Sequence, residues 1–453
     1  MTGMAAAASS IDRSGALEIT QRLTEICGPP FARFAGPADE VAGRAARWVA
    51  VPGGPQAAAE VLRLAARHGL TVVPRGAGTK IDWGAAPEQV DIMLDTGRLA
   101  GIGHEPVGAA VAEVGAGTPL RAVQATLDRT GQRLAVDAPS PGATLGGVLA
   151  AGEAGPLRHR HGTPCDQLVG VRYLTADGEL VSAGGGAPGL DLARLLCGSQ
   201  GALGVLVSAT LRVQAVPATR LWVSRPVWTP LEVHDLVRTI LAARLDPAAI
   251  ELDLPALPRP RRPIDPTGPA AAARARHPSM GGRADAPPRA GSVVVLLEGG
   301  PAEAVERAER LVSLLDGALV AHSAPPWWRR YPFGPGDTAL RIEVPITDLH
   351  AAVYALRDAA GAPVPVRGSA GLGVVHAALP GSLPADRIAS ILAAVRGVLL
   401  ARKGRCVVLS APTPVRRAVD LWGELTGLPR LRAAKAHLDP HHRLAPGRLP
   451  GGG

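Results

Sequence analysis

Residues Pro74 to Thr79 read Pro-Arg-Gly-Ala-Gly-Thr, a pattern in which the backbone rather than the side chains could do chemistry. Glycine accepts positive φ angles and permits close approach, so successive backbone N–H groups can turn toward one anion such as a diphosphate. The order Gly78-Thr79-Lys80 differs from that of a Walker loop, and no helix start follows as a dinucleotide fingerprint requires. Taken alone, an ordinary glycine turn is the simpler interpretation of this stretch.

Two further glycine-rich clusters follow along the chain. Residues 139–152 read Pro-Ser-Pro-Gly-Ala-Thr-Leu-Gly-Gly-Val-Leu-Ala-Ala-Gly, and residues 197–205 read Cys-Gly-Ser-Gln-Gly-Ala-Leu-Gly-Val. Small residues at this density allow the backbone to come close to a ligand or to another strand. The sequence therefore offers three separate places for close backbone approach.

The metal-ligand residue types are poorly grouped. His159-x-His161 and His441-His442 have no third histidine or carboxylate nearby, so surface or anion contacts are the expected roles. The four cysteines are far apart in sequence and form no C-x-x-C pair: Cys27, Cys165, Cys197 and Cys406. We expect no zinc or iron–sulfur site, and four reduced core thiols.

The elements that must position the glycine clusters alternate between helices and strands. Apolar spacing predicts a helix over 56–68, and β-branched residues predict a short buried strand at Val72-Val73. Thr118 is expected to cap a helix that has Pro119 at its first position and runs to about Thr130. Asp177-Gly178 lies between two apolar runs and predicts a hairpin. Further strands are expected at 90–94, 109–114 and 206–213.

The later part of the chain predicts a second domain of α+β type. Apolar runs and helical spacing again alternate after residue 218. The expected strands are 293–297, 340–344, 373–379 and 406–409, and the expected helices are 302–315, 347–360 and 384–401.

Composition limits the function classes. A chain of 453 residues can form two or three domains, and its net charge of +9 raises the question of nucleic-acid binding. Between 258 and 291, however, seven arginines face two aspartates in a stretch rich in Pro, Ala and Gly, which predicts a flexible basic insert. The remaining charge forms no basic stripe with aromatics, so nucleic-acid binding is not expected. No run of eighteen apolar residues and no signal peptide are seen, so we expect a cytoplasmic protein without a membrane span.

The order of the clusters makes the sequence resemble a known superfamily. The pieces V-V-P-R-G-A-G-T, A-G-T-P-L-R-A-V-Q, A-T-L-G-G-V-L-A-A-G, H-G-T-P-C-D-Q-L-V-G-V and G-S-Q-G-A-L-G-V-L together resemble the PCMH-type FAD-binding domain of the vanillyl-alcohol oxidase superfamily. The tail segments V-D-L-W-G and L-D-P…L-A-P-G-R are similar to those of FAD-binding E subunits of glycolate oxidase.

The resemblance implies an α+β protein in which a PCMH-type two-subdomain FAD-binding domain is followed by an α+β cap domain. The expected boundaries are a partly flexible N-terminal segment at 1–40, the FAD-binding domain at 41–217, the cap at 218–404 and a C-terminal segment at 405–453 that returns to the FAD domain. Peripheral attachment to the inner membrane through partner chains is the alternative to a purely cytoplasmic location.

The resemblance also implies cofactor contacts. The backbone of Arg75 to Thr79 would wrap the FAD pyrophosphate, the second cluster would line the flavin and ribityl side, and the third would lie near the adenine or dimethylbenzene part. No histidine lies in the first loop, so FAD is expected to bind non-covalently. The implied cofactor-binding residues are Pro74, Arg75, Gly76, Ala77, Gly78, Thr79, Pro141, Thr144, Gly146, Gly147, Gly152, Gly155, Gly162, Gly201, Gly204 and Val205.

The cap departs from its catalytic relatives. Relatives that oxidise 2-hydroxy acids carry H-x-G-D-G-N-x-H and a later E-H-G, which bind a metal and handle the substrate hydroxyl. Here the first motif reads Ser-Ala-Gly-Leu-Gly-Val-Val-His over 369–376, and no E-H-G follows. Only His376 remains of the motif, so we expect no metal. No catalytic residue is assigned, and His376 and Arg367 are the two candidates.

Three functional hypotheses follow. In the first, the chain is the FAD-binding subunit of a glycolate-oxidase-like complex, with a catalytic flavin subunit and an iron–sulfur subunit as partners and a small 2-hydroxy acid as the substrate of the complex. In the second, it is a stand-alone FAD-dependent oxidoreductase of an alcohol or sugar. In the third, it keeps the flavin fold without the flavin, because the Lys and Tyr that relatives carry near residues 185–192 are missing.

Overall fold

The computed structural model describes residues 13–103, 110–184, 191–256 and 290–451. The chain divides into two compact units, the first made of Met1–Pro217 with Glu424–Gly453 and the second of Ala218–Gly423. The expected C-terminal segment therefore begins later than 405. The strand Arg405–Ser410 pairs with Thr338–Glu343 and so belongs to the sheet of the second unit.

The first unit contains a parallel sheet at its N-terminal end. Within the described residues this sheet has four strands, in the order Ala32–Phe34, Trp48–Ala50, Ile92–Asp95 and Val72–Arg75. The last three strands are parallel, so the helix Pro55–Arg67 crosses over between them. Pro55 is the first residue of that helix. The apolar face of the helix buries six side chains: Ala58, Ala59, Val61, Leu62, Leu64 and Ala65. These pack with the helix Arg13–Cys27 in one core.

A second sheet in the same unit has its own core. Its described strands run in the order Leu180–Gly184, Leu168–Leu174, Val205–Ala215, Val111–Gly115 and Ile102–Gly103, and Gln132–Leu134 pairs with the far end of Val205–Ala215. The predicted hairpin is present, since Leu174 pairs with Leu180 across the turn that contains Asp177 and Gly178. The remaining helices and short strands of the unit are Pro29–Phe31 (3₁₀), Leu120–Asp128, Leu145–Ala151, Arg158–His161, Leu192–Leu196 and Leu428–Leu438, with the pair Glu40–Val41 and Arg44–Ala45.

The C-terminal residues return to the parallel sheet. Val72 donates its N–H to the carbonyl of Arg443 (2.8 Å), and Ala445 donates to the carbonyl of Val72 (2.9 Å). Leu444 thereby forms a parallel bridge with Val72, two residues before the first glycine cluster. The residues after 443 are thus part of the structure that supports this cluster.

The second unit is an antiparallel sheet packed with helices. Its eight described strands run in the order Leu319–Ala321, Thr219–Val227, Gly291–Gly299, Ala249–Leu254, Val366–Ser369, Val374–Leu379, Thr338–Glu343 and Arg405–Ser410. The helices are Pro230–Ala242, Pro301–Leu314, Leu349–Ala360, Ala385–Leu400 and Thr413–Ala418, with a 3₁₀ turn at Ile346–Asp348. Thr229 and Glu232 form a capping box at the start of the first of these.

The mixed α+β class is confirmed, and three local expectations need comment. Thr118 does not cap the helix that begins at Leu120, because its hydroxyl donates to the carbonyl of Gly101 (3.1 Å) and accepts from its N–H (3.0 Å). The predicted insert at 258–291 lies outside the described residues up to 289, and Gly291 already pairs with Val227. Most of the segment 185–192 also lies outside the described residues.

Candidate functional site

The three glycine clusters meet at one cleft in the first unit. The cleft has about 900 Å³ of empty space, open solvent included. Its lining residues come from all three clusters and from the C-terminal segment: Val73, Pro74, Arg75, Gly76, Ala77, Gly78, Thr79, Lys80, Ile81, Trp83, Thr96, Ala116, Thr144, Gly146, Gly147, Ala150, Ala151, Ser199, Gln200, Gly201, Gly204, Leu206 and Arg448.

The first loop presents a row of backbone donors. The turn is closed by a hydrogen bond from the N–H of Ile81 to the carbonyl of Gly78 (3.1 Å), and Gly78 has a φ of 72°. The N–H groups of residues 76–79 donate to no acceptor among the described residues. Four consecutive donors that line a cleft without an internal acceptor suit an anionic group.

Close packing explains several of the glycines. A Cβ on Gly76 would overlap the hydroxyl of Thr144, and one on Gly201 would lie 2.9 Å from the ring of Pro74. A Cβ on Gly146 would lie 2.7 Å from the Cβ of Ala116. These contacts join the first cluster to the second and third, so the missing side chains bring three distant segments together.

Thr144 has a local role beside the cleft. Its hydroxyl accepts from the N–H of Gly147 (3.3 Å) and caps the short helix Leu145–Ala151. The N–H of Gly146 donates to the carbonyl of Ala116 (2.8 Å), so this glycine offers no free donor to a ligand.

The side chain of Arg75 is held away from an anion. It pairs with Asp95 (2.8 Å) and with Asp39 (3.2 Å), and Asp39 also accepts from Arg33. The hydrogen bond from Arg33 is the largest of the effects that lower the pKa of Asp39 to about 2, with smaller contributions from the N–H of Gly36 and from Arg75. The anion-binding capacity of this loop therefore lies in its backbone.

Lys80 is a buried cation in the cleft that the sequence analysis did not select. Its side chain is 6% exposed, pairs with the fully buried carboxylate of Glu153, and donates to the hydroxyl of Ser140 (2.8 Å). Burial lowers the pKa of Lys80, and the neighbouring Glu153 opposes this shift. The ammonium group also lies 5.3 Å from the centre of the Trp83 ring, another residue of the cleft lining.

Gln200 is a second residue that the sequence analysis missed. It has a φ of 53°, a value that costs a non-glycine residue free energy and often marks a functional site. Its buried Oε1 atom has no hydrogen-bond partner among the described residues, while its N–H donates to the carbonyl of Ala150 (2.8 Å). A buried acceptor without a donor in the cleft is suited to a ligand N–H or O–H.

The C-terminal segment contributes Arg448. Its guanidinium donates to the carbonyls of Ile81 (3.1 Å) and Trp83 (2.8 Å) and so fixes the chain just after the first glycine cluster. This side chain stands in the P-G-R triplet noted in the sequence, which was the available signal for it.

The structure separates the predicted cofactor residues into two groups. Eleven of the predicted set line the cleft: Pro74, Arg75, Gly76, Ala77, Gly78, Thr79, Thr144, Gly146, Gly147, Gly201 and Gly204. The other five, Pro141, Gly152, Gly155, Gly162 and Val205, do not line it. Pro141 is exposed, Gly152 ends a helix with a φ of 62°, and Val205 is fully buried in a core. Gly155 and Gly162 pack against Asp137 and Asp166.

The two catalytic candidates lie in the second unit, paired across neighbouring strands. Arg367 pairs with Asp253 (2.8 Å) and donates to the carbonyls of Arg330 and Tyr331 (both 3.2 Å). His376 lies edge-on to the ring of Tyr331, with centroids 4.9 Å apart. Among the described residues, no three His, Cys, Asp or Glu side chains are grouped as metal ligands would be. Arg367 therefore ties a loop to the sheet instead of presenting a free carboxylate clamp.

Comparison with family models finds a similarity in the first unit. A family model described as "FAD binding domain" matches residues 46–207. This region of the chain is therefore similar to FAD-binding domains. The match contains all three glycine clusters and every cleft residue except Arg448.

Curated relatives share only part of their length with the chain. The glycolate oxidase subunit GlcE of Escherichia coli (strain K12) is 38% identical over 117 residues, which are 24% of this chain and 33% of that protein. A D-lactate dehydrogenase of Archaeoglobus fulgidus is 30% identical over 42% of this chain and 45% of that protein. The glycolate oxidase subunit GlcD of Bacillus subtilis (strain 168) is 26% identical over 44% of this chain and 43% of that protein. The chain thus matches less than half the length of these relatives.

Solved structures agree on the fold. An alkyldihydroxyacetonephosphate synthase matches 95% of this chain and 84% of its own, with a TM-score of 0.66 at 16% identity. A 4-ethylphenol oxidase from Gulosibacter chungangensis, in its isoeugenol complex, matches 97% of this chain and 98% of its own. The TM-score is 0.67 at 14% identity. The chain therefore shares the fold of these two structures.

Proposed function

We propose that this chain binds FAD non-covalently and serves as the FAD-carrying subunit of a glycolate-oxidase-like complex that oxidises a small 2-hydroxy acid. The observation that carries the proposal is the row of four backbone N–H groups at 76–79, without internal acceptors, in a cleft built by an FAD-binding domain. A pyrophosphate is the part of FAD that such a row would hold.

The residues of the cleft fit the cofactor. The N–H groups of 76–79 would hold the pyrophosphate, and Lys80, paired with Glu153, would lie in the same cleft as a further hydrogen-bonding group. The Oε1 atom of Gln200 would accept from an N–H or O–H of the cofactor. Bound FAD supplies a two-electron acceptor, while the protein binds and orients it and excludes water.

The lining of the cleft supports non-covalent binding. Among its described lining residues there is no imidazole, thiol or phenol, the nucleophilic side chains that could bond to a flavin ring. The FAD is therefore expected to dissociate when the protein unfolds.

The second unit supports a subunit role. Arg367 is engaged by Asp253, and the residues found where catalytic relatives carry a metal motif are Ser369 and Leu372. The likeness to GlcE and GlcD suggests that a catalytic flavin subunit and an iron–sulfur subunit are the partners. No helix in the described part of the chain is long and apolar enough to cross a membrane.

A stand-alone FAD-dependent oxidoreductase of an alcohol or sugar is the second candidate. The D-lactate dehydrogenase relative favours it, since it shares 45% of its length with this chain against 33% for GlcE. The two candidates differ in whether the isolated chain reduces its flavin with a substrate.

The first test is spectroscopic. The purified full chain is expected to show a flavin absorption spectrum, or to gain one on incubation with FAD, and acid precipitation should leave the flavin in the supernatant. A yellow precipitate would contradict non-covalent binding. A chain that is folded by circular dichroism yet cannot be reconstituted with FAD would contradict the cofactor assignment.

The second test concerns the partners. Genes for the two expected partner subunits would be co-expressed with a tagged copy of this chain, and the affinity eluate analysed for a second flavin and for iron and sulfide. Co-elution of both subunits supports the complex. Elution of the chain alone, with substrate-dependent flavin reduction, supports the stand-alone enzyme.

A further inference from the structure

Two histidines from different helices meet in the second unit. His234 lies on the helix Pro230–Ala242, and His350 lies 116 positions later on the helix Leu349–Ala360. The centroids of their imidazole rings are 4.7 Å apart, and the ring planes are tilted by 58°, so the rings are not stacked face to face. Both residues are half-buried. The sequence does not indicate this contact, because each helix contains a single histidine.

The packing of the two helices holds the rings in place. The helices contact each other directly. His234 follows the buried Val233 and His350 follows the buried Leu349, so each ring lies beside the buried face of its helix. The backbone that carries the pair is therefore fixed by packing that does not depend on the two rings.

The ring nitrogens of this pair lack partners. The Nδ1 atom of His350 is buried and makes no hydrogen bond within the described residues, and neither ring takes part in a hydrogen bond or an ion pair there. A buried polar atom normally has a partner, and a bound ion or a water molecule is an ordinary one. A hydrogen bond between the rings therefore does not account for their closeness.

The separation of the rings suits two ligands of one metal ion. An imidazole nitrogen lies roughly 1.1 Å from the ring centroid and a Zn–N bond is about 2.0–2.1 Å long, so the metal lies about 3.2 Å from the centroid of each ligating ring. For ligand angles between a right angle and a tetrahedral angle, the two centroids are then about 4.5–5.3 Å apart. The observed 4.7 Å falls within this range, so the positions of the helices already match a shared ion.

We propose that His234 and His350 bind one divalent ion of the late first-row transition metals, such as Ni²⁺, Cu²⁺ or Zn²⁺. Imidazole nitrogens suit these ions, whereas Mg²⁺ and Ca²⁺ prefer oxygen ligands. Among the described residues, no three His, Cys, Asp or Glu side chains are grouped as metal ligands, so water completes the coordination of this ion. Neither histidine lines the cleft of the first unit, so the metal site is separate from the proposed FAD site.

The bound ion would join two segments that are distant in the chain. In the unfolded chain the two imidazoles are separated by 116 positions and seldom meet, so the ion binds preferentially to the folded second unit. A ligand that binds the folded state in preference to the unfolded state raises the melting temperature. We therefore expect the metal to stabilise the chain against thermal unfolding.

The first measurement is calorimetric titration of the full chain, without an affinity tag and freed of metal by EDTA, with NiCl₂. We expect one tight Ni²⁺ site per chain and no binding of Mg²⁺. His234→Gln and His350→Gln should each weaken this site by at least about 10-fold, since loss of a group that only hydrogen-bonds to a metal ligand already costs about 10–100-fold in affinity. The matched control is His441→Gln, which breaks up the exposed neighbours His441 and His442 and should leave the site unchanged.

Two further measurements complete the test. Ni²⁺ should raise the melting temperature of the unaltered chain and of His441→Gln, but not that of His234→Gln or His350→Gln. Pulsed electron paramagnetic resonance of the unaltered chain with one equivalent of Cu²⁺ needs no variant and should show two coordinated imidazoles. A single imidazole in that spectrum would overturn the proposal, as would Ni²⁺ affinity that is absent from the unaltered chain or that survives in both His234→Gln and His350→Gln.

Discussion

At the scale of single residues, the glycines of the cleft do two different things. Gly76 and Gly201 are required because a Cβ would collide with another cluster, and Gly146 because a Cβ would collide with Ala116. Gly78 is required by its positive φ and by its place in the row of donors. The sequence could indicate both, since glycine spacing is visible in it. It could not indicate Lys80 or Gln200, because their burial and their partners come from segments far away in the sequence.

Replacement of Gly78 by Asp is expected to abolish FAD binding. The new carboxylate would face the pyrophosphate at the row of N–H groups, and repulsion between like charges costs several kcal/mol, so we expect an affinity loss on the order of 100-fold or more. The matched control is Gly69→Asp, because Gly69 also has a positive φ (62°) but is exposed outside the cleft. Titration of FAD fluorescence measures both, and equal affinities for the two variants would argue against the loop assignment.

Asp39 predicts an acid-dependent loss of stability. Its pKa is lowered from 3.8 to about 2, mainly by the hydrogen bond from Arg33. Ionised Asp39 therefore adds its full share to folding stability when the pH is above the pKa it has in the unfolded chain, and this share disappears as the pH falls through about 2. The shift corresponds to about 2 kcal/mol of unfolding free energy. Asp39→Asn should lose this amount at pH 7 and show a flatter decline between pH 4 and pH 2.

The measurement is urea unfolding at several pH values, with Asp235→Asn as control. Asp235 is 59% exposed and pairs with Arg238 on a helix surface, where ion pairs contribute little. An Asp39→Asn variant with the acid slope of the unaltered protein would contradict the role of the Arg33–Asp39–Arg75 group.

At the scale of elements, the C-terminal helix Leu428–Leu438 is fixed by a buried lysine. Lys435 is fully buried and donates to the carbonyl of Ala202 (2.9 Å), to Asp439 (2.6 Å) and to the carbonyl of Leu444 (2.7 Å). All three ammonium donors are used, so one side chain joins this helix to the third glycine cluster and to the strand bridge at Leu444.

Lys435→Met is therefore expected to lower stability by about 3–5 kcal/mol, because the buried carboxylate of Asp439 loses its partner. FAD affinity should fall with it, since Ala202 follows the cleft residue Gly201. Lys403→Met, at an exposed lysine, is the control and should change stability little. The double variant Lys435→Met/Asp439→Asn should regain part of the loss, and denaturant unfolding measures all three.

Some of the helices, hairpins and strand pairings can be predicted from the sequence and others cannot. Local signals predicted the helix at 56–68, which the structure has at Pro55–Arg67, and the hairpin around Asp177-Gly178. They placed a strand at 406–409 in the second domain, but they did not predict that it pairs with Thr338–Glu343 or that Leu444 pairs with Val72. Both pairings join residues that are distant in the chain, and the sequence of neither segment identifies the strand with which it pairs.

At the scale of the whole molecule, a recognisable cofactor site and an unassigned reaction coexist in one chain. The three clusters meet in one cleft within the first unit, and their order in the sequence was enough to indicate FAD. The chemistry of the second unit could not be read in the same way, because the motif that would define it is reduced to His376.

The last prediction is that the isolated chain, loaded with FAD, does not oxidise glycolate or D-lactate. Oxidation of a 2-hydroxy acid needs a group that takes the hydroxyl proton and a group that holds the carboxylate, and general-base help is typically worth about 10²–10⁴-fold in rate. Arg367 is already paired with Asp253 and with two loop carbonyls, and His376 packs against Tyr331. In anaerobic stopped-flow mixing, we therefore expect no flavin bleaching by either acid, while dithionite bleaches the same sample. Rapid bleaching by either acid, abolished in His376→Ala but retained in the surface variant His322→Ala, would instead make this chain an enzyme in its own right.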